Sequence, residues 1–389
     1  MTTLSFGIRT VLTASLVAGS LVAATASAQT LRYATGFPPG SIAADAAQDY
    51  AGKVKEYSDG ELDMRVYALS LLNAAETSPG VRDGIADVGY LLNAYYPAEY
   101  PHINLINEAS MQLQLIDPER MGSPAKGTYA YNGAYTEFMF KHCPECNDEL
   151  KRQNQVYTAN GSSSRYGLLC NKPVTEVADM SGLRMRVAGA HWSRWATEMG
   201  GSSLSLTINE IYEAMDQGII DCNIQSAPEI INLGLTEVVT DITMTIPGGL
   251  YAAVGGASVN RDVWQGLSED QRKAMLRAGQ YLSAQIAWEY ERMEAEALKQ
   301  VQEQGGRLHE PSQELLDVTR AFVEKDMESI VSYYGERHGV QRAEEMLTTF
   351  RGLLDKWVDL VQDVESAEQL ADLYWEEVAS SVDVSKHGL

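Results

Sequence analysis

The sequence contains no H-E-x-x-H, no G-x-S-x-G, no P-loop and no G-x-G-x-x-G. Without them it offers no anchor for a zinc protease, a serine hydrolase of that type, a nucleotide hydrolase or a dinucleotide-dependent enzyme. Histidine is sparse. His102, His142, His191, His309, His338 and His387 are scattered, and no two have metal-ligand spacing. No metal and no other cofactor is expected. Positive charge is short too: 30 Lys and Arg face 53 Asp and Glu, for a formal net charge of -23. Such acidity argues against nucleic acid and anionic lipid as partners. It also means that an anionic ligand needs a local positive pocket, because the overall field opposes it. There is no internal repeat and no low-complexity segment. Past residue 28, no apolar run is long enough to span a bilayer.

What is present begins with a secretory signal. Arg9 is the only charge in the first 28 residues, Val11 to Ala24 is largely apolar, and Ala26-Ser27-Ala28 is an A-x-A cleavage site. An uncleaved anchor is the rival, but the run falls short of the roughly 20 residues a span needs. No cysteine stands at the cleavage site, so a lipoprotein is not expected. The mature chain should start at Gln29, soluble and exported. At 389 residues and 45% hydrophobic content the chain can fill a large core, and its length suggests two domains. Four cysteines remain: Cys143, Cys146, Cys170 and Cys222. In an oxidising compartment an even count suggests bridges, with three pairings open. Zinc is the rival, but there is no second C-x-x-C, and no strand leads into Cys143-Pro144-Glu145-Cys146 as a redox motif would require.

In chain order, Leu31 to Thr35 reads as a strand, followed by the tight loop Gly36-Phe37-Pro38-Pro39-Gly40. Ser41 caps a helix to about Tyr57, with Ala44, Ala47, Ala51 and Val54 on its apolar face. Leu62 to Val66 is a second strand, Glu76 to Asp83 a helix and Asp87 to Leu91 a third strand. That succession gives a parallel sheet. Asn93, Tyr95 and Tyr96 follow it, either facing a ligand or packing as an amphipathic loop. Pro97 and Pro101 are expected to keep their segment extended. A helix is expected near Tyr131 to Lys141, and Cys143 to Asn154 reads as a polar excursion on the surface. Ser268 caps a helical pattern running to Gln304, either one helix or two with a kink near Gln280. Further helices are expected over 314–338, 343–364 and 367–382.

The most informative stretch is Gly182 to Gln225. Leu183 to Val187 is a strand that carries Arg184 and Arg186 at period two. A helix follows from about His191 to Met199, closed by Gly200-Gly201. Ser203 to Leu206 is a short strand. Thr207 and Glu210 form a capping-box pattern for the next helix, which Gly218 ends, and Ile219 to Ile224 is the last strand. Such βαβ units place loops at the carboxyl ends of parallel strands, where α/β proteins bind ligands. An arginine there can grip a carboxylate through two parallel hydrogen bonds, which lysine cannot reproduce.

The pattern G-L-R-M-R-V, then M-G-G, then N-E-I-Y-E-A-M-D-Q-G-I-I-D resembles the substrate-binding subunits of TRAP transporters, the DctP-like periplasmic proteins. The resemblance runs from about Leu31 to past Gln300. It implies an α/β periplasmic binding protein fold of two lobes, each a mainly parallel sheet flanked by helices, with a long helix bracing both. Lobe I would take residues 29–160 and 250–290, and lobe II residues 161–249 and 291–389. It implies that Arg186 holds the ligand's carboxylate. A crossing strand near Ser162 to Leu169 would supply a second contact. Tyr166 falls where some members carry another arginine, with Arg165 beside it, and which of the two faces the pocket stays open. Gln225 falls at a polar contact position, Asn223 lies on the same strand face, and Tyr212 would border the pocket. The strand-end loops of lobe I bring Phe37, Asn93 and Tyr95. His191 would either donate to the ligand or cap its helix. Trp192 and Trp195 share a helix face, as core or as a stacking wall for a ring-bearing acid. The same topology brings Cys170 near Cys222, favouring that bridge together with Cys143–Cys146. The expected function is capture of a small organic acid and its delivery to TRAP membrane subunits, the protein being a monomer. An exported enzyme or a ligand sensor acting on a carboxylate is the alternative.

Overall fold

The computed structural model describes residues 1–4 and 29–389. Most of the expected signal segment therefore lies outside the described residues. Eleven strands are described: β1 (Gln29–Thr35), β2 (Leu62–Ala68), β3 (Val88–Leu92), β4 (Gln155–Tyr157), β5 (Tyr166–Cys170), β6 (Arg184–Val187), β7 (Ser202–Ser205), β8 (Cys222–Ser226), β9 (Asp241–Thr243), β10 (Val254–Asn260) and β11 (Arg307–Leu308). They form two sheets, ordered β2-β1-β3-β10-β4 and β11-β9-β5-β8-β6-β7. Helices flank both. This is the mainly parallel, two-lobe α/β architecture expected from the sequence.

Each sheet has one strand running against the rest. In the first it is β10, antiparallel to β3 and β4. In the second it is β5, antiparallel to β8 and β9. Both follow a passage of the chain from one sheet to the other, over 158–165 and 244–253. A third connector is the helix Glu269–Glu303. Its 35 residues run unbroken, with no second helix starting near Gln280. It packs on the helix Ile42–Tyr57 of the first lobe and on β11 of the second.

The central unit forms as its pattern predicts. β6 pairs in parallel with β7 and with β8, and the helix Ala190–Glu198 crosses between β6 and β7. The Thr207–Glu210 capping box closes in both directions. Register places Arg186 opposite Asn223, so Asn223 and Gln225, two residues apart, share its face. Cys170 sits opposite Cys222, and both expected disulfides are present.

Two stretches differ from expectation. Pro101 opens the helix Pro101–Glu108 instead of holding the chain extended, since a first-turn proline gives up no helical hydrogen bond. Residues 143–154 are not a surface excursion but hold the helix Pro144–Arg152, with Cys146, Glu149 and Leu150 buried. Glu149 can be buried because its carboxylate accepts the backbone N–H of His102 at 2.8 Å and of Ile103 at 3.3 Å. It thereby serves donors that every helix start leaves free. The helix expected near Tyr131 starts earlier, at Pro124, behind a Ser123 cap. The helix Ala343–Leu360 lies on it, and Ala367–Glu377 lies on the long helix. No helix among the described residues is long and apolar enough to cross a membrane.

Candidate functional site

Between the sheets lies a partly open cavity, whose lining leaves about 330 Å³ of space not filled by atoms, open solvent included. It sits where the connectors converge. Phe37, Tyr90, Leu92 and Tyr95 come from the strand ends of the first lobe. Arg186, Ala188, Ile208, Gln225 and Glu229 come from the second. Ser163 and Tyr251 come from the two passages, Tyr166 and Val254 from the first residues of β5 and β10, and Tyr290 from the long helix. The lining thus collects carboxyl ends of parallel strands, the usual ligand position in such sheets.

Arg186 is fully buried. Its Nε donates to Leu206 O at 2.9 Å, one terminal nitrogen to Gln225 Oε1 at 2.7 Å and Asn223 Oδ1 at 3.5 Å, and the other to the Tyr95 hydroxyl at 3.2 Å. These use four of the five N–H groups of a guanidinium. Every acceptor is neutral, and no ion pair among the described residues includes Arg186. By contrast Arg184, at the outer end of the strand, is exposed and paired with Asp221 at 2.9 Å. The Tyr95 hydroxyl also accepts from Ile208 N at 3.0 Å, so this first-lobe side chain is clamped to the second lobe. Burial pushes its phenol pKa up, and Arg186 pulls it partly back.

Glu229 is the other ionisable group of note. It is buried, and burial raises its carboxyl to about 7, against the pull of Tyr290 and Arg186. Tyr290 donates to Oε1 at 2.5 Å, while Oε2 has no hydrogen-bond partner.

Of the residues singled out in the sequence, Arg186, Tyr166, Gln225, Tyr95 and Phe37 line the cavity. Asn223 touches it only through Arg186. Trp192 stands behind Tyr166, stacked at 4.1 Å between ring centroids, with its indole N–H donated to Gly248 O. Trp195 points away, to Thr319. His191 is fully buried against Trp192, with both ring nitrogens unpartnered, and burial holds it well below the usual imidazole range. Three residues lie elsewhere. Arg165 lines a separate groove with Gln114, Ile116 and Thr245, because neighbours on an extended strand point apart. Tyr212 donates to Glu237 at the surface. Asn93 is buried and accepts from Asn104 through its backbone carbonyl. Among lining residues that sequence reasoning missed, Tyr90 stood in an expected strand and Tyr290 in an expected helix, and nothing marked either of them or Glu229 as converging. Tyr251 lies in the second passage, which a return of the chain to the first lobe could have marked.

The family model described as bacterial extracellular solute-binding protein, family 7 (DctP), matches residues 33–333. A solute-binding protein of Albidiferax ferrireducens is 25% identical over 283 residues, 69% of this chain and 76% of its own. Among solved structures, a marine metagenome TRAP solute-binding protein specific for pyroglutamate superposes with a TM-score of 0.68 at 17% identity, over 84% of this chain and 99% of that one. A TRAP periplasmic solute-binding protein of Bordetella bronchiseptica with bound mandelate gives 0.70 at 19%, over 84% and 99%. One from Rhodoferax ferrireducens with bound malonate gives 0.68 at 19%, over 86% and 100%. At these identities the structural likeness establishes the fold.

Proposed function

This chain belongs to family 7 of the bacterial extracellular solute-binding proteins, and from that premise we propose that it captures a small organic acid in the periplasm and delivers it to the membrane subunits of a TRAP transporter. One observation carries the reading: Arg186 is a buried guanidinium that lines the cavity, and its direct hydrogen-bond acceptors are all neutral. An unpaired buried charge is costly, and a ligand carboxylate offsets that cost. Six of the lining side chains are aromatic (Phe37, Tyr90, Tyr95, Tyr166, Tyr251 and Tyr290), which favours a ring-bearing acid over a small dicarboxylate. Solved relatives hold pyroglutamate and mandelate, and one holds malonate, so the preference rests on the lining.

The reading includes export through a cleaved signal peptide over residues 1–28 and a monomeric protein without a cofactor. It includes ligand contacts by Tyr166, Gln225, Tyr95 and Phe37. It assigns binding, not turnover: no imidazole lines the cavity, and the hydroxyl of Ser163 is bonded to Ser164 O. The proposed lobes are 29–160 with 250–290, and 161–249 with 291–342. Residues 343–389, which the sequence grouped with the second lobe, are assigned to the first. Trp357 donates to Glu137 and Tyr374 to Tyr129 O, both on the helix Pro124–Lys141.

The test is titration calorimetry against a library of carboxylic acids, hits being found by thermal shift. Arg186→Ala, and nearly as much Arg186→Lys, should weaken binding by roughly 30-fold or more, since losing one partner of a buried charge pair costs about 2–5 kcal/mol. Unchanged affinity in both variants would remove Arg186 from the site.

A further inference from the structure

We propose that the cavity holds its acid at two points, and that Glu229 is the second, accepting a hydrogen bond from an N–H or ammonium group of the ligand. The inference rests on the reading of Arg186 as the carboxylate holder. Glu229 is 2% exposed, and its side chain reaches the same cavity as Arg186. One of its oxygens is taken by Tyr290; the other makes no hydrogen bond, although the Asn232 amide lies near enough to pull the carboxyl's pKa down. A half-satisfied buried carboxyl is expensive unless something else completes it. No hydrogen bond or ion pair joins it to Arg186, whose charge acts on it only through space. Two unlike ionisable groups that line one cavity without bonding to each other match a molecule that carries a carboxylate and a donor nitrogen. The aromatic side chains that line the same cavity suit a ring. The ligand class is therefore a cyclic or aryl-substituted amino acid, or a lactam acid.

The experiment compares ring-matched acids by calorimetry on the full mature protein. Proline and pyroglutamate are set against cyclopentanecarboxylate, and phenylglycine against phenylacetate. In the unaltered protein at least one donor-bearing acid should bind about tenfold or more tighter than its donor-free match, as expected for a hydrogen bond to a charged group. Glu229→Leu should bring the two within threefold of each other by weakening only the donor-bearing acid. Glu229→Gln, which keeps an acceptor for Tyr290, should do the same for the ammonium-bearing acids. Equal binding of matched acids by the unaltered protein overturns the proposal. So does a Glu229 variant that weakens both members equally, which would make Glu229 a structural partner of Tyr290 and Asn232. If no acid in this panel binds while others in the wider library do, the second point of contact is wrong and the carboxylate reading stands. Binding that survives Arg186→Ala instead sinks the carboxylate reading itself.

Discussion

Arg186 and Glu229 share one cavity, yet burial acts on them in opposite ways. A guanidinium keeps its charge when buried, whereas a carboxyl answers by holding its proton. That response has a measurable consequence. Glu229 titrates near 7 in the folded protein against an ordinary 4.5. Between those values the folded form keeps a proton that the unfolded chain has released. Raising the pH through this window therefore lowers stability, and the loss is complete above pH 7. Glu291, pushed to about 7 by burial, acts in the same direction. Denaturation of the ligand-free protein at pH 5 and pH 8 should show Glu229→Gln stabilising at the higher pH relative to the lower. The difference is of order 3 kcal/mol at most. Identical pH profiles for variant and parent would mean that Glu229 is ionised, and paired, at neutral pH. Legibility differed for the same two residues. Arg186 stood out because its strand and loop were readable and the family resemblance marks the second arginine of that strand as the carboxylate holder. Glu229 looked like one more acid in the first turn of a helix, where such residues are ordinary. Only its position beside Tyr290, 61 residues on, gives it meaning.

At the level of elements, the order of the central βαβ unit was legible, since its glycines, its capping box and its apolar periodicity agree, although its last strand is Cys222–Ser226 where Ile219 to Ile224 was expected. The helices 101–108 and 144–152 were not. Each starts at a proline, and the second is so polar that its burial depends on Glu149 capping the first. Local sequence cannot announce a cap supplied by a distant helix. Packing between elements yields two predictions. Gly133 lets the helix Ala343–Leu360 approach: a Cβ there would stand 2.3 Å from the Trp357 ring. Gly133→Ala should destabilise the protein by roughly 1–3 kcal/mol in chemical denaturation, as overpacking does, whereas a higher midpoint would mean that the indole moves aside freely. Cys170–Cys222 closes 52 residues and Cys143–Cys146 only 3. Replacing both cysteines of the long link by alanine should cost about 2–4 kcal/mol and those of the short link much less. Equal losses would contradict the loop-length argument.

On the scale of the whole molecule, the two lobes touch through a few polar contacts around the cavity. Asn209 of the second lobe accepts from Ala74 N at 3.2 Å and donates to Gly36 O at 3.1 Å, and Asn232 accepts from Ile42 N at 3.1 Å. A ligand stabilises this arrangement only as far as it binds the closed form better than the open one. Asn209→Ala removes two of these contacts and leaves the cavity lining intact. It should raise the dissociation rate of a bound acid by about threefold to thirtyfold, at roughly 1 kcal/mol per hydrogen bond, as read by stopped-flow fluorescence. An unchanged rate would place the closing energy elsewhere. The two-lobe plan itself was readable through the family pattern. The reversed strands were not, because pairing direction is a property of the assembled sheets.

Those reversed strands, β10 and β5, have a consequence for how the protein could be taken apart. Each sheet is completed by a piece of chain that arrives only after passing through the other half. A single cut at any point in the sequence therefore cannot release two consecutive fragments that are each a finished lobe. Anyone wishing to express one half alone would have to splice distant segments together, and a ribosome that stops midway leaves both halves unfinished.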